Sequence, residues 1–426
     1  MVEAAFLAGP GSARLPHVWL GLGALMPIVV ALQMVLLRRM SVRNVWRAAI
    51  GLSALALPTS AVLAAHATPW LYVLYLVKDI YVVCVLELFW TLAHREVLHE
   101  ASEHRVGLLC MAGALGGIVG GLALGPLAYV QASAASWATL ILGSTSGSAS
   151  AVLRHLTDNR ALLATLVASG LLLVSALTGL PPRRKTAESS LKGREHTDSS
   201  QAVRAPSDSQ SSVASTPTRL LPSINVRFTP TALLLIAFVV LTQTSLVLVD
   251  YLFNQAVERQ SSESAVMARL FALTYIATDT LSLVLQLSAR AIASRRGHLA
   301  GLTLGPTFGF LGLGFASSTI ILLPAVLAIK VVIKALDYSW QRVVRESIYQ
   351  QLPADLRAAC KSIADVWAYR SAKAGTALFL LSLTTLSAFP IEIVALTGLA
   401  LWAVCGVLLW RTSQGTRLKR NAVVDR

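Results

Sequence analysis

Lys330, Lys334 and Asp337 stand at i, i+4 and i+7 in an apolar run that ends in WQRVVRE, Trp340 to Glu346. On a helix that spacing puts all three on one face. An ionisable side chain at mid-membrane costs at least about 2.5 kcal/mol, so it turns toward a cavity or a partner and by default marks a solute path. A second apolar run carries Lys78, Asp79 and Glu87 and closes in WTLAHRE, Trp90 to Glu96, with the same Trp-x4-Arg-Glu spacing. The echo points to two related halves. Asp250, Asp279, Arg370, Lys373 and Glu392 complete the candidates. The same spacing lets Lys334 pair with Asp337, and Arg370 and Glu392 stand near run ends, where a long side chain reaches the interface. Lys78, Asp79, Asp250, Lys330, Lys334 and Lys373 are the candidate solute-binding residues. Basic groups in a low-dielectric cavity attract an anion, while Asp250 or Asp79 would balance the lysines or carry protons. Arg95, Glu96, Arg345 and Glu346 close the two echoing runs, and there they read as gate charges whose salt bridges latch the halves in one conformation.

Other chemistries lack their residues. Cys84, Cys110, Cys360 and Cys405 form no CxxC pair and have no neighbouring histidine, so they read as free thiols and no metal site is expected. There is no HExxH, no GxSxG and no pair of mid-span aspartates. The expectation is therefore no enzyme and no cofactor.

The elements that must position these charges follow from composition. The chain has 426 residues, 55% hydrophobic and 13% charged, with a formal net charge of +15. Its mean hydropathy is +0.64. That balance belongs to an all-α polytopic membrane protein, and the positive excess belongs to loops retained on the cytoplasmic side rather than to nucleic-acid binding. A spanning helix needs about 20 mostly apolar residues. Eleven segments qualify, at about 17–37, 47–66, 70–92, 105–130, 160–180, 230–252, 266–289, 298–317, 319–338, 364–387 and 390–410. The Ser/Gly-rich segment 134–153 is read as an outside loop. With the N-terminus outside, the inside connections run from Arg38 to Arg47, Ala93 to His104, 181–229, Arg290 to Gly297, Tyr338 to Ser362, and on from Arg411; all but the second are clearly basic. Counting 134–153 as a span would reverse every later loop and put RRK at 183–185 outside.

Residues 181–229 are rich in Ser, Thr, Pro and charge and cannot bury enough surface to order themselves. They separate an N-terminal bundle of five spans, 1–180, from a C-terminal bundle of six, 230–410, followed by a cytoplasmic tail, 411–426. Superposing the two Trp-x4-Arg-Glu motifs matches the third span to the ninth and leaves one helix missing at the start. Gly113, Gly116, Gly117, Gly120, Gly121 and Gly125 give one span small-xxx-small spacings that favour close helix packing.

The runs LELFWTLAHREVLHEASEHRVGLLCMAGALGGIVGG and DYSWQRVVRESIYQQLPADLRAACKSIADVWAYRSAKAG resemble two signature regions of nucleotide transporters, the ATP:ADP antiporters of plastids and intracellular bacteria and their broader bacterial relatives. The resemblance covers most of the chain outside the linker and the 131–159 loop. It implies a major-facilitator-like fold of twelve helices in two bundles with both ends cytoplasmic. The opening AAFLAGPGSARLPHVWL is similar to the family's stretch just after its first helix, so the sequence starts one helix late and an upstream start or a truncation is expected. Lys373, eight positions after Asp365, falls on a lysine that the antiporters need, and Asp250 falls on an acidic position of their seventh helix. Lys78 stands where they carry an acid, and their basic cluster at the end of the first helix lies in the part missing here. Strict ATP/ADP exchange is therefore not implied; membership of the broader bacterial branch is.

The functional expectation is a secondary transporter of an anionic solute, a nucleotide or phosphorylated metabolite, working by alternating access and without ATP hydrolysis. The expected setting is the bacterial inner membrane, the expected partners are the lipid bilayer and that solute, and the expected state is a monomer. The rival expectation is a non-transporting sensor or assembly partner that keeps the fold, which the missing helix favours and the retained mid-membrane charges oppose.

Overall fold

A computed structural model describes residues 2–96, 111–120, 122, 228–288, 295–317, 322–386 and 390–424, and all regular structure among them is helical. We number the helices α1 (Val2–Ala8), α2 (Leu15–Arg39), α3 (Val42–His66), α4 (Pro69–Glu96), α5 (Met111–Gly120), α6 (Pro230–Gln260), α7 (Ser264–Leu287), α8 (Arg295–Ser317), α9 (Leu322–Leu336), α10 (Arg342–Gln351), α11 (Ala354–Lys361), α12 (Tyr369–Leu386) and α13 (Ile391–Val424). Six of them, α2, α3, α4, α6, α7 and α13, contain stretches long and apolar enough to cross a membrane. The starts are written locally: Ser41 accepts from the Asn44 N–H at the head of α3, and Thr229 accepts from the Ala232 N–H with Pro230 in the first turn of α6.

Of the eleven expected spans, 160–180 lies outside the described residues and 105–130 is described through α5 and Leu122; the other nine are helices at the expected places. The loop 134–153, the linker up to 227 and the last two residues also lie outside them. Two stretches depart from expectation. The connection 338–362 is helical almost throughout, because its apolar residues recur with a helical period and bury Val344, Ile348 and Tyr349. The last helix runs to Val424, past the expected end at 410, since no Pro interrupts it and Gly415 alone does not stop a helix.

Two single π-helical turns, Asp337–Gln341 and Ser362–Ala368, follow α9 and precede α12. Such turns break the regular side-chain spacing of a helix and recur at functional sites. The helix order in space is set by one continuous buried core that runs from Phe6 and Trp19 through Phe238, Tyr251 and Phe253 to Trp402. In it α6 packs on α13, α9 and α12; α8 packs on α13 and α9; and α3 and α2 pack on α4. The N-terminal segment meets the C-terminal one along α2 and α12, along α1 and α7, and at Trp19, whose ring meets that of Tyr251 edge-on at 6.3 Å.

The α2–α12 crossing depends on Gly23, where an added Cβ would overlap the Ala374 side chain and backbone. Gly23→Val is expected to force these helices apart at a cost of about 1–3 kcal/mol. The check is the melting temperature of the purified protein, expected to fall below wild type; an unchanged melt would mean that the crossing is not a tight contact.

Candidate functional site

Each candidate lysine lies in a helix whose apolar residues fix its depth, and the helices converge so that every lysine meets a carboxylate. Asp250 of α6 sits between two lysines of α9, with Lys330 Nζ at 3.2 Å and Lys334 Nζ at 2.9 Å. Asp79 of α4 sits between Lys78 of the same helix, at 3.0 Å, and Lys373 of α12, at 3.4 Å. Lys78 also meets Glu3 of α1 at 3.0 Å, and the Tyr275 hydroxyl of α7 donates to the other Glu3 oxygen at 2.6 Å. All six solute-binding candidates read from the sequence therefore fall into these ion-paired groups, and Glu3 lies near enough to Lys330 to feel its charge.

The two lysines on Asp250 differ in setting. Lys330 is 4% exposed and lies over the Phe253 ring at 3.8 Å and near the Phe271 ring at 5.6 Å, a buried ammonium held by one carboxylate and two aromatic faces. Lys334 is 19% exposed and Asp250 itself 23%, so both remain in reach of a solute. Lys78 and Lys373 are about as open, at 25% and 27%, with Tyr75 and Trp19 beside their ammonium groups. Among the described residues four lysines thus face three carboxylates, leaving one positive charge in excess.

Several residues were not singled out in the sequence. Glu3 lies in a short helix ahead of the first long apolar run, and nothing in its neighbours marks it. Tyr338 and Tyr369 stand four positions from Lys334 and Lys373 and are both partly exposed. Their phenols lie close to each other and to Lys334. The i, i+4 pairing of Tyr with Lys was the available signal.

The expected Lys334–Asp337 pair is not formed. Lys334 turns to Asp250, and Asp337 accepts from Arg345 at 3.1 Å, the π-helical turn between those two bringing residues eight apart onto one face. Of the gate candidates, Arg345 bonds Asp337, and Glu346 pairs with Lys361 at 2.6 Å, so these two contacts lie within the C-terminal segment. The side chains of Arg95, Glu96 and Glu87 lie outside the described residues. Glu392 stands in the first turn of α13, whereas Arg370 lies inside the unbroken helical run from Ala354 to Leu386 rather than at a helix end. Among the described residues no cluster of His, Cys, Asp and Glu could hold a metal ion.

An ion pair in a low-dielectric setting returns its desolvation cost only where the geometry is good, and it is worth little as a stabiliser compared with an apolar pair of the same volume. A set of shared carboxylates is instead an exchangeable set: one lysine can leave its aspartate for an incoming anion while the aspartate keeps its other lysine. Asp79 and Asp250 are both shared in this way.

No family model matches the chain, and no curated protein matches it in sequence. In structure it is similar to two crystal structures of the nucleoside transporter NupG. An aspartate-to-alanine mutant of NupG aligns with a TM-score of 0.55 at 11% identity, covering 97% of this chain and 96% of that one. A second NupG structure aligns with a TM-score of 0.53 at 12% identity, covering 97% and 95%. The likeness spans nearly the whole length of each chain. This chain is a multi-pass helical membrane protein with the major-facilitator fold that NupG displays.

Proposed function

We propose that the protein is a secondary transporter that moves a small anionic solute through the lysine cluster by alternating access. The observation that carries the reading is the surplus of one lysine over the carboxylates of the cluster, together with the sharing of Asp79 and Asp250 by two lysines each. A phosphate or carboxylate would complete the charge balance, which a neutral solute would leave open. The Lys373–Asp79 and Glu3–Tyr275 contacts join the N-terminal segment to the C-terminal one, so a solute that displaces them also loosens the two halves. Binding energy and conformational change are then the same event.

The fold neighbour is a nucleoside transporter, and the sequence motifs resemble nucleotide antiporters. A nucleotide or another phosphorylated metabolite, exchanged across a bacterial inner membrane, is the solute class that agrees with both and with the lysines. The rings of Tyr338 and Tyr369 beside Lys334 suit a planar base.

The test is uptake of labelled ATP by intact cells expressing the chain, with unlabelled ADP, phosphate, organic anions and uridine as competitors. Competition by the anions and none by uridine is the expected result. Competition by uridine alone would replace the anion with a neutral nucleoside. No uptake of any probe, with the protein in the membrane, would favour the non-transporting alternative.

A further inference from the structure

Asp279 lies on α7 one helical turn beyond Tyr275, half-buried, and takes no part in the lysine cluster. Among the described residues it makes no ion pair and no hydrogen bond. Its carboxylate lies against Gly117 of α5, where an added Cβ would overlap Oδ2, so the bare glycine backbone of the N-terminal segment accommodates an acid of the C-terminal one. The cations on the elements packed against α7 are already engaged. Lys330 and Lys334 of α9 are on Asp250 of α6, Lys78 and Tyr275 hold Glu3 of α1, and Asp337 of the π-helical turn takes Arg345. Among the described residues the remaining ionisable neighbour is the Tyr338 phenol, which lies near both Asp279 and Lys334.

An ionised carboxylate within a span needs a cation, water or a proton. Among the described residues no cation is offered, and the surface that covers the group is the seam between the halves, which alternating access opens and closes. We propose that Asp279 is a proton-binding site that couples net anion uptake to a proton, an inference that rests on the transporter reading and goes beyond one-for-one exchange. With the Gly117 seam open, Asp279 takes a proton from water on one side, forming an O–H bond at one carboxylate oxygen. After the halves have rocked it returns that proton to water on the other side. Protonation removes a negative charge from beside the Tyr338 phenol, which also faces Lys334, and so leaves the positive excess of the cluster to the anion. By linkage, the bound anion favours the proton to the same degree. One proton and one anionic charge then cross together.

Two measurements test it. In purified protein, infrared difference spectra across a pH titration are expected to contain a protonated-carboxyl C=O band that Asp279→Asn removes and Asp279→Glu retains at a shifted frequency. A band unchanged in Asp279→Asn overturns the proton site, whatever the solute. In proteoliposomes with labelled ATP, inorganic phosphate and succinate as successive probes, an alkaline interior is expected to drive accumulation up to about tenfold per pH unit for one proton per solute. Asp279→Asn is expected to lose that accumulation at wild-type abundance; accumulation equal to wild type, or one that follows a sodium gradient instead, overturns the coupling. Wild type that accumulates none of the probes and exchanges none of them sinks the transporter reading, while the infrared band still decides the proton site.

Discussion

Lys373→Ala is expected to abolish uptake, lowering its initial rate by about 100-fold, while membrane abundance stays at the wild-type level. The size follows from losing a charged partner in a partly desolvated site, about 3 kcal/mol, which is two decades in rate. Glu3, Lys78, Asp79 and Lys373 form a chain of alternating charges, with contacts of 3.0, 3.0 and 3.4 Å, and the chain is neutral as a whole. Without Lys373 it carries two acids to one base, and a site that accepted an anion repels one. The same change removes the ion pair that joins α4 to α12, so the two halves lose a contact that the solute is meant to exchange for its own. Lys373→Arg keeps the charge and should keep part of the activity, since a planar guanidinium replaces a compact ammonium but still faces Asp79. The measurement is initial uptake of labelled ATP, normalised to protein in the membrane by immunoblot. Uptake equal to wild type in Lys373→Ala would remove Lys373 from the site and with it the claim that the cluster binds the solute.

What the sequence could and could not tell about this site has a physical basis. An ammonium or carboxylate amid apolar residues stands out because it is costly there. For that reason Lys78, Asp79, Asp250, Lys330, Lys334 and Lys373 were legible before any helix was placed. Hydropathy marked nine described helices for the same reason, since few other arrangements satisfy a backbone in a bilayer. Partner choice was not legible. Lys334 has Asp337 on its own helix three residues on, yet it binds Asp250 on another helix, and only the packing of α6 against α9 decides between them. The two π-helical turns have no sequence signature, and the first of them is what turns Asp337 to Arg345. Glu3 was missed because one acid in a seven-residue helix near the start of the chain looks like any exposed acid until α1 is packed against α4 and α7. The tyrosines were missed because an aromatic residue in an apolar run is unremarkable until a hydroxyl is seen to face a carboxylate or a lysine.

Asp250→Asn should destabilise the folded protein more than any other single change at the site, by about 3–5 kcal/mol, because it removes the carboxylate from two lysines at once. Lys330 is the reason for the size. At 4% exposure it has no water to turn to, and the Phe253 and Phe271 faces that flank it attract a cation without neutralising it. Lys334, at 19%, can swing toward the cavity and recover some hydration, so the cost falls mostly on its buried neighbour. Asparagine keeps the shape of the side chain, which separates lost charge from lost volume. By the usual scaling of about 1–2 °C per kcal/mol for a chain of this size, the melting temperature should fall by about 5 °C. The double variant Asp250→Asn with Lys330→Met should recover most of that loss, since removing both members of a buried pair costs far less than orphaning one. It should nevertheless fail to transport, because stability is regained by discarding the charge arrangement that recognises the anion. Thermal unfolding of wild type, single and double variants in the same detergent decides the matter. If Asp250→Asn melts with wild type, Lys330 is neutral in the folded protein. The cluster then has three ammonium groups against three carboxylates, and the excess positive charge on which anion recognition rests is gone.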